Sequence, residues 1–426
     1  MPISREQAAE IARRQGPQFT PEELAAQLEP TPASVRPIPP EVPAAKDSTA
    51  TGRDQRLAFL REHGAEFPHL SGAKPQVDAA ELQGNIEQFI GMTQIPTGVI
   101  GPLRVNGLHA HGDFYVPLAT SEGALVASYH RGARVITLSG GASCLTSLTQ
   151  VQRAPGFEFA SIGDAGRFSA WVSGEFERFR EVAATRTRHG RLTDLQIHMQ
   201  TRTVYLVFAF HTGDASGQNM VTLCTDAICQ DLIARTPVAP LRWFIESNLS
   251  GDKKATAMSF LHTRGRKVMA EVTVPRELVE RQLHTTPEAI CDYWRMSFIG
   301  GVQSGSIGVT GHFANGIAAM FLACGQDVAC VSEAAVGINR FERTDSGDLY
   351  CGVDLPNLIC GTVGGGTRMP TAAECLRLLG CEGSGHANKF AEICAAVVLG
   401  GELSIAAALA AGHFTRAHEH LGRRPG

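Results

Sequence analysis

The run "FAEICAAVVLGGELSIAAALAAGHF", residues 390–414, decides what kind of fold this chain can have. It is long and apolar enough to suggest a membrane span. Two acids, Glu392 and Glu402, and the pair Gly400–Gly401 interrupt it, and alanine dominates the remainder. A lipid-facing helix has no partner for such acids, whereas a helix packed on all sides can place small residues against close neighbours. We therefore read it as the buried central helix of a folded core, and expect no membrane association.

The rest of the chain agrees with a soluble enzyme of more than one domain. It has 426 residues, 43% hydrophobic and 19% charged, with a formal net charge of −4. No basic block points to nucleic acid. The eleven cysteines are odd in number and scattered, without CxxC or zinc spacing, and read as small buried hydrophobes in a reducing compartment. The opening "MPISREQAAEIARRQG" has no apolar signal core, so a cytoplasmic location is expected.

Working back from the central helix, residues 4–28 suggest an amphipathic helical piece, and "PTPASVRPIPPEVPAA" (30–45) an extended arm. "FYVPLAT" (114–120) has strand composition. Ser121 then predicts an N-cap for "EGALVASYHRGARVITL", with Glu122 in the first helical turn. From 155 to 244 the pattern mixes one helix ("SAWVSGEFERFREVAATRT"), a strand (203–212) and another helix ("NMVTLCTDAICQDLIARTP"), which predicts an inserted α+β unit. "RKVMAEVTVP" (266–275) is a further strand, and the remainder reads as helical and glycine-punctuated. The expected division is 1–85 arm, 86–154 first part of a large domain, 155–244 insert, 245–413 second part, and 414–426 a polar tail.

Ionisable groups stand at the edges of apolar segments in four places: Glu122, the Asp252–Lys253 loop in "NLSGDKKATAMSF", Asp327 in "FLACGQDVAC", and His418. Singly, each has an ordinary explanation, helix-dipole electrostatics for the glutamate and solvation for the tail histidine. Glycine clusters at 139–143, 213–219 and 361–367 offer backbone N–H groups for close approach. None has the dinucleotide fingerprint GxGxxG or the phosphate loop GxxxxGK[ST], so a Rossmann dehydrogenase or NTPase is not supported.

Taken in order, six stretches resemble the 3-hydroxy-3-methylglutaryl-coenzyme A (HMG-CoA) reductase family. They are "IEQFIGMTQIPTGVIGPL", "LATSEGALVAS", "SGDKKATAMSFLHTRGRKVMAE", "GSIGVTGHFANGIAAMFLACGQD", "GTVGGGT" and "AALAAGH". The likeness is to the class I branch more than class II, in its soluble bacterial or archaeal form. It implies an α+β fold: a large, mainly helical HMG-CoA-binding domain around a long central helix, with a small ferredoxin-like insert binding NADP(H). It implies reduction of HMG-CoA to mevalonate and free coenzyme A by two hydrides from NADPH, with NADH left open and no metal. A homodimer or tetramer with active sites between subunits is implied too.

Carried over position by position, the catalytic quartet is Glu122, Lys253, Asp327 and His418. Lys253 would meet the charge on the carbonyl oxygen, with Glu122 as proton donor, Asp327 as the lysine's partner and His418 as acid toward the coenzyme A thiolate. Substrate binding would fall to Glu87, Arg153, Asn248, Asp252, Lys254, Arg295 and Asn315. The cofactor would fall to Arg188, Asp214, Gly217, Asn219, Gly325, Gln326, Gly364 and Gly365. The chain departs from the family pattern at Ser216 and Gln218, which replace two methionines. Met296 stands at a substrate-binding lysine, with Arg295 beside it. Glu246 stands where a small serine helps hold the substrate carboxylate, an unfavourable charge unless Arg295 or Arg153 compensates. Those changes keep open a different acyl-CoA substrate, and a non-catalytic coenzyme A-binding paralogue is the other alternative.

Overall fold

A computed structural model describes residues 20–74, 77 and 79–412. Helix α1 (Pro21–Leu28) opens on Thr20, which forms a capping box with Glu23. The proline-rich arm then lies along its own chain. Buried Arg104 donates to the carbonyls of Thr31, Arg36 and Pro37 at 2.8–3.0 Å, and the Tyr115 hydroxyl donates to Pro40 O at 2.6 Å. Helix α2 (Ala50–Glu62) follows, then the hairpin β1 (Thr97–Gly107) and β2 (His111–Ala119), helix α3 (Leu125–Leu138) and strand β3 (Ala142–Arg153).

Strand β3 is long enough to serve two sheets. Residues 142–150 pair with neighbours in the large unit, and its last turn of chain, Val151–Arg153, pairs with the insert. The insert comprises β4 (Gly156–Glu158), α4 (Ile162–Val172), α5 (Phe176–Ala184), β5 (Arg191–Gln200), β6 (Thr203–His211), α6 (Gln218–Arg235) and β7 (Arg242–Phe244). Its sheet is antiparallel and its own core is built on Phe157, Phe159, Phe168, Phe179, Phe208 and Phe210, all fully buried. The chain returns through β8 (Gly265–Val274), α7 (Pro287–Gln303), α8 (Phe313–Ala323), β9 (Ile338–Arg343), β10 (Leu349–Leu358), α9 (Pro370–Leu378) and α10 (Ala387–Ala410). The continuous strand order is β7-β4-β6-β3-β8-β10-β9, with β1 parallel to β3 and β2 on β1.

Helix α10 is the buried centre. Val397, Val398, Leu399 and Leu403 are at most 1% exposed, and each such burial contributes about 1.5–3 kcal/mol. Its glycines allow a close crossing with α3: a Cβ on Gly132 would sit 1.9 Å from the Gly400 carbonyl oxygen. Both glutamates are fully buried and fully engaged. Glu392 accepts from the backbone N–H groups of His109, Ala110 and Thr146, which fixes the β1–β2 turn. Glu402 accepts from Gly311 N, His312 N and the Asn339 amide, which fixes the turn ahead of α8. Acids that a membrane would not tolerate thus tie two loops to the core. By length and composition alone the helix could cross a bilayer, but 83% of its apolar 18-residue stretch is buried within the protein.

Several sequence expectations are corrected. Ser121 does not cap α3: Ala124 is left-handed (φ 68°), the helix starts at Leu125, and Glu122 lies in the turn before it. The single helix expected around 169–187 is two, because Ser173–Glu175 closes α4 and reopens as α5. The remainder after 275 is not all helical, since β9 and β10 pair there around the Thr344–Asp348 turn. With β1, β2, β3 and β8 they make the large unit mixed rather than mainly helical. Of the expected 4–28 piece, residues 21–28 are helical, and residues 4–19 lie outside the described residues.

Candidate active site

The loop between β7 and β8 carries the lysine, and three acids shape it. Glu246 accepts from Asn248 N at 2.7 Å and from the Ser250 hydroxyl at 3.0 Å, closing the turn "ESNLS". Its Oε2 also meets Arg153 Nη1 at 3.2 Å and Ala154 N at 3.4 Å. Asp252 takes Arg153 at 3.0 Å with one oxygen and Arg264 at 2.6 Å with the other. Glu333, with no exposed side chain, accepts from Arg264 Nε at 2.8 Å and from the backbone N–H of Lys253 at 3.2 Å. Arg264 completes its bonds on Gln152 O at 2.7 Å. The result is a chain of alternating charges, Glu246–Arg153–Asp252–Arg264–Glu333, under the catalytic loop.

That chain holds Lys253 in a left-handed conformation, φ 54°, which costs a non-glycine residue ~1 kcal/mol and persists only where its surroundings enforce it. Held so, the ammonium reaches Asp327, Nζ to Oδ2 2.7 Å. Asp327 is itself fixed, accepting from Ala329 N at 3.1 Å as it caps the turn Val328–Cys330. The Asp327 hydrogen bond raises the lysine above its ordinary value, ahead of the opposing effect of partial burial. Burial raises the Glu333 carboxyl even against Arg264, and pushes the Cys330 thiol up to about 12. Gln218, at the start of α6, donates to Cys330 Sγ at 2.9 Å and so links the insert to this turn.

Glu122 forms the other half. Its Oε2 accepts from the Asn315 amide at 2.6 Å, and Asn315 sits in the first turn of α8, which Glu402 anchors from below. The His312 ring stacks on Tyr129 with 4.9 Å between centroids. Among the described residues no hydrogen bond or ion pair joins Glu122 to Lys253 or Asp327. One chain therefore presents the Lys253–Asp327 pair in one place and Glu122, held by Asn315, in another, while His418 lies outside the described residues.

The remaining expected positions divide. Arg153 is buried against Glu246 and Asp252, so it is the arginine that meets Glu246. Arg295 is exposed and pairs with Asp292 on its own helix. Asp252 has both oxygens taken by arginines, and Lys254 folds back onto Asp252 O at 2.9 Å. Asn248 shapes its turn with φ 65°. Asp214 accepts from Gly385 N and Ala387 N at the start of α10, and Gln326 accepts from Gly361 N, so both tie loops together. Gly325 faces the Gly366 carbonyl too closely for any side chain. Gly364 and Gly365 have positive φ and an open outer face, and Gly217 starts α6 with no side-chain cap. Glu87, Arg188 and Asn219 are exposed. Arg264 and Glu333 escaped sequence reasoning; the only signals were an "RGR" turn opening a strand and one acid in an otherwise apolar "VSEAAVG".

Comparison with known proteins gives the family. The sequence model of the hydroxymethylglutaryl-coenzyme A reductase family matches residues 52–423. The 3-hydroxy-3-methylglutaryl-coenzyme A reductase of Methanocaldococcus jannaschii is 44% identical over 374 residues, 87% of this chain and 92% of that protein. That of Aeropyrum pernix is 45% identical over 376 residues, 87% of this chain and 89% of that protein. A class II enzyme from Streptococcus pneumoniae, bound to NADPH in open conformations, superposes with a TM-score of 0.70 at 18% identity, over 86% of this chain and 98% of that one. At that identity it speaks for the fold, a mixed α/β architecture with an antiparallel sheet. With a match spanning the catalytic loop, the insert and the central helix, this chain belongs to the hydroxymethylglutaryl-coenzyme A reductase family.

Proposed function

We propose that the chain reduces HMG-CoA to mevalonate and free coenzyme A. The observation that carries this reading is the Lys253–Asp327 pair, 2.7 Å apart on a loop fixed from beneath by buried ion pairs. Thioester reduction builds negative charge on one carbonyl oxygen twice. An ammonium held protonated by Asp327 meets that charge, and loss of such a donor raises the barrier by ~3–4 kcal/mol. Glu122, oriented by Asn315, supplies the proton to the carbonyl oxygen. After the first reduction the hemithioacetal collapses to mevaldehyde and a coenzyme A thiolate. By the family resemblance His418 protonates that thiolate, so it does not add back.

NADPH supplies the hydrides when bound. The residues fit it: Gly364 and Gly365 leave open backbone, α6 begins without a side-chain cap, and Arg188 is exposed to pair with a phosphate. The preference for NADPH over NADH rests on Arg188. We assign 155–244 as a ferredoxin-like dinucleotide-binding insert, 86–154 and 245–413 as the substrate-binding domain, 1–85 as the arm and 414–426 as the tail. The class I placement rests on the wording of the motifs, and the cytoplasmic location on the burial of α10.

The separation of Glu122 from the Lys253–Asp327 pair favours a homodimer in which Glu122 of one copy faces Lys253 of another. Met296, Ile299 and Val302 leave an apolar face of α7 exposed, at 76%, 58% and 61%, and Ile90 is fully exposed, a pattern typical of subunit contacts. A second reading, another acyl-CoA with the same chemistry, is favoured by the grip of Glu246 on Arg153. The purified chain, given HMG-CoA and NADPH, is expected to consume two NADPH per coenzyme A thiol released. Absence of both NADPH oxidation and thiol release refutes the reading.

A further inference from the structure

Arg153 is 7% exposed and already bound by two carboxylates, but the two are not equivalent. Asp252 is locked, because its second oxygen pairs with the buried Arg264 at 2.6 Å. Glu246 is the looser partner: its contact with Arg153 is 3.2 Å, and its side chain is the more exposed of the two, 22% against 18%. The guanidinium is also not filled. Its Nε is buried with no hydrogen-bond partner among the described residues, a desolvated donor that costs about 1–3 kcal/mol while unmet. A carboxylate arriving from outside could take the Nη1 contact from Glu246, whose remaining bonds to Asn248 N and Ser250 Oγ stay inside its own turn.

We propose that Glu246 is a built-in stand-in for the distal carboxylate of the acyl group, displaced from Arg153 when such a substrate binds. This deepens the proposed function and rests on it for the identity of the acyl chain. The geometry makes Glu246 a specificity-determining residue. It competes with an anionic acyl terminus and leaves an acyl-CoA without one unaffected. It also gives the buried arginine a second carboxylate beside the fixed Asp252 when the site is empty.

The test is titration calorimetry of HMG-CoA and of butyryl-CoA, which lacks the distal carboxylate, with wild type, Glu246→Gln and Glu246→Asp. Glutamine keeps its carbonyl oxygen as acceptor for Asn248 N and can donate its NH2 to the Ser250 hydroxyl oxygen, but removes the charge. The dissociation constant for HMG-CoA is expected to fall about ten-fold in Glu246→Gln, the scale of one partly exposed charge interaction. That for butyryl-CoA should stay within two-fold, roughly the noise of such a comparison. Glu246→Asp, still anionic, should not reproduce the gain. Unfolding midpoints of the three proteins identify any variant that has lost its loop. An unchanged or weaker affinity for HMG-CoA in a Glu246→Gln protein that melts like wild type overturns the proposal. So does an equal gain for butyryl-CoA. Turnover is read separately: wild-type reduction of HMG-CoA with no affinity gain in Glu246→Gln sinks this inference alone, and a gain in binding without wild-type turnover sinks the proposed reaction alone.

Discussion

Glu333→Gln tests whether the charge chain beneath the loop positions Lys253. The wild-type carboxylate is fully buried and does two things: it pairs with Arg264 at 2.8 Å and accepts the Lys253 N–H at 3.2 Å. Removing one member of a buried pair typically destabilises by 3–5 kcal/mol. Arg264 retains Asp252 and Gln152 O, and glutamine retains one acceptor, so the lower end applies, about 3 kcal/mol. At 2–4 °C per kcal/mol for a unit of this size, the melting midpoint should drop by roughly 6–12 °C. Freed from Glu333, Lys253 relaxes out of its left-handed conformation, and a displacement of the ammonium by about 1 Å lowers kcat on the order of a hundred-fold. The assay is a double-mutant cycle with Lys253→Met, reading kcat and the unfolding midpoint of all four proteins. Because Glu333 acts through Lys253, adding Glu333→Gln to Lys253→Met should lower kcat little further, while the loss of stability persists. Multiplicative effects on kcat, or a single variant with wild-type kcat and midpoint, would show that Glu333 does not position Lys253.

Other outcomes follow from the same geometry. Glu392→Gln must turn an NH2 toward backbone donors at His109, Ala110 or Thr146, and should destabilise by ~3 kcal/mol in chemical denaturation. Burial raises the wild-type Glu392 from 4.5 to about 7, so the folded state holds a proton that the unfolded state has released. Its contribution should therefore decline as pH rises from 4.5 to about 7 and level off above, and the Glu392→Gln variant should lack that slope. Gly132→Ala drives a methyl into the Gly400 carbonyl, and should cost about 3 kcal/mol or abolish soluble expression. Glu122→Gln should lower kcat by roughly a hundred-fold at unchanged melting midpoint.

How much of this was legible in the sequence depends on how local each feature is. The central helix could be read because composition alone shows it has no solvent face. The insert showed itself by alternating strand and helix patterns. Helix α3 was misplaced because Ala124 adopts a left-handed turn that its identity does not announce. Strand β9 alternates exposed and buried residues over 338–342, but over so short a run the period is easily lost among glycine-punctuated helices. At the site, Lys253 and Asp327 came from motif resemblance, and the structure places them in contact. Arg264 and Glu333 could not be found that way, since their role exists only where β8, the turn after Asp327 and the loop converge. Glu246 looked like an uncompensated charge in sequence, and the fold supplies Arg153 as its partner.

Lys253 is expected to carry the reduction by meeting charge on the thioester oxygen. The direct test of that role is the rate of NADPH oxidation with HMG-CoA, wild type against Lys253→Met, which keeps the length of the side chain and removes its charge. Wild type is expected to turn over with two NADPH consumed per coenzyme A released, and the variant to lose roughly 10²–10³ in kcat. A Lys253→Met enzyme that reduces HMG-CoA at the wild-type rate would contradict that role.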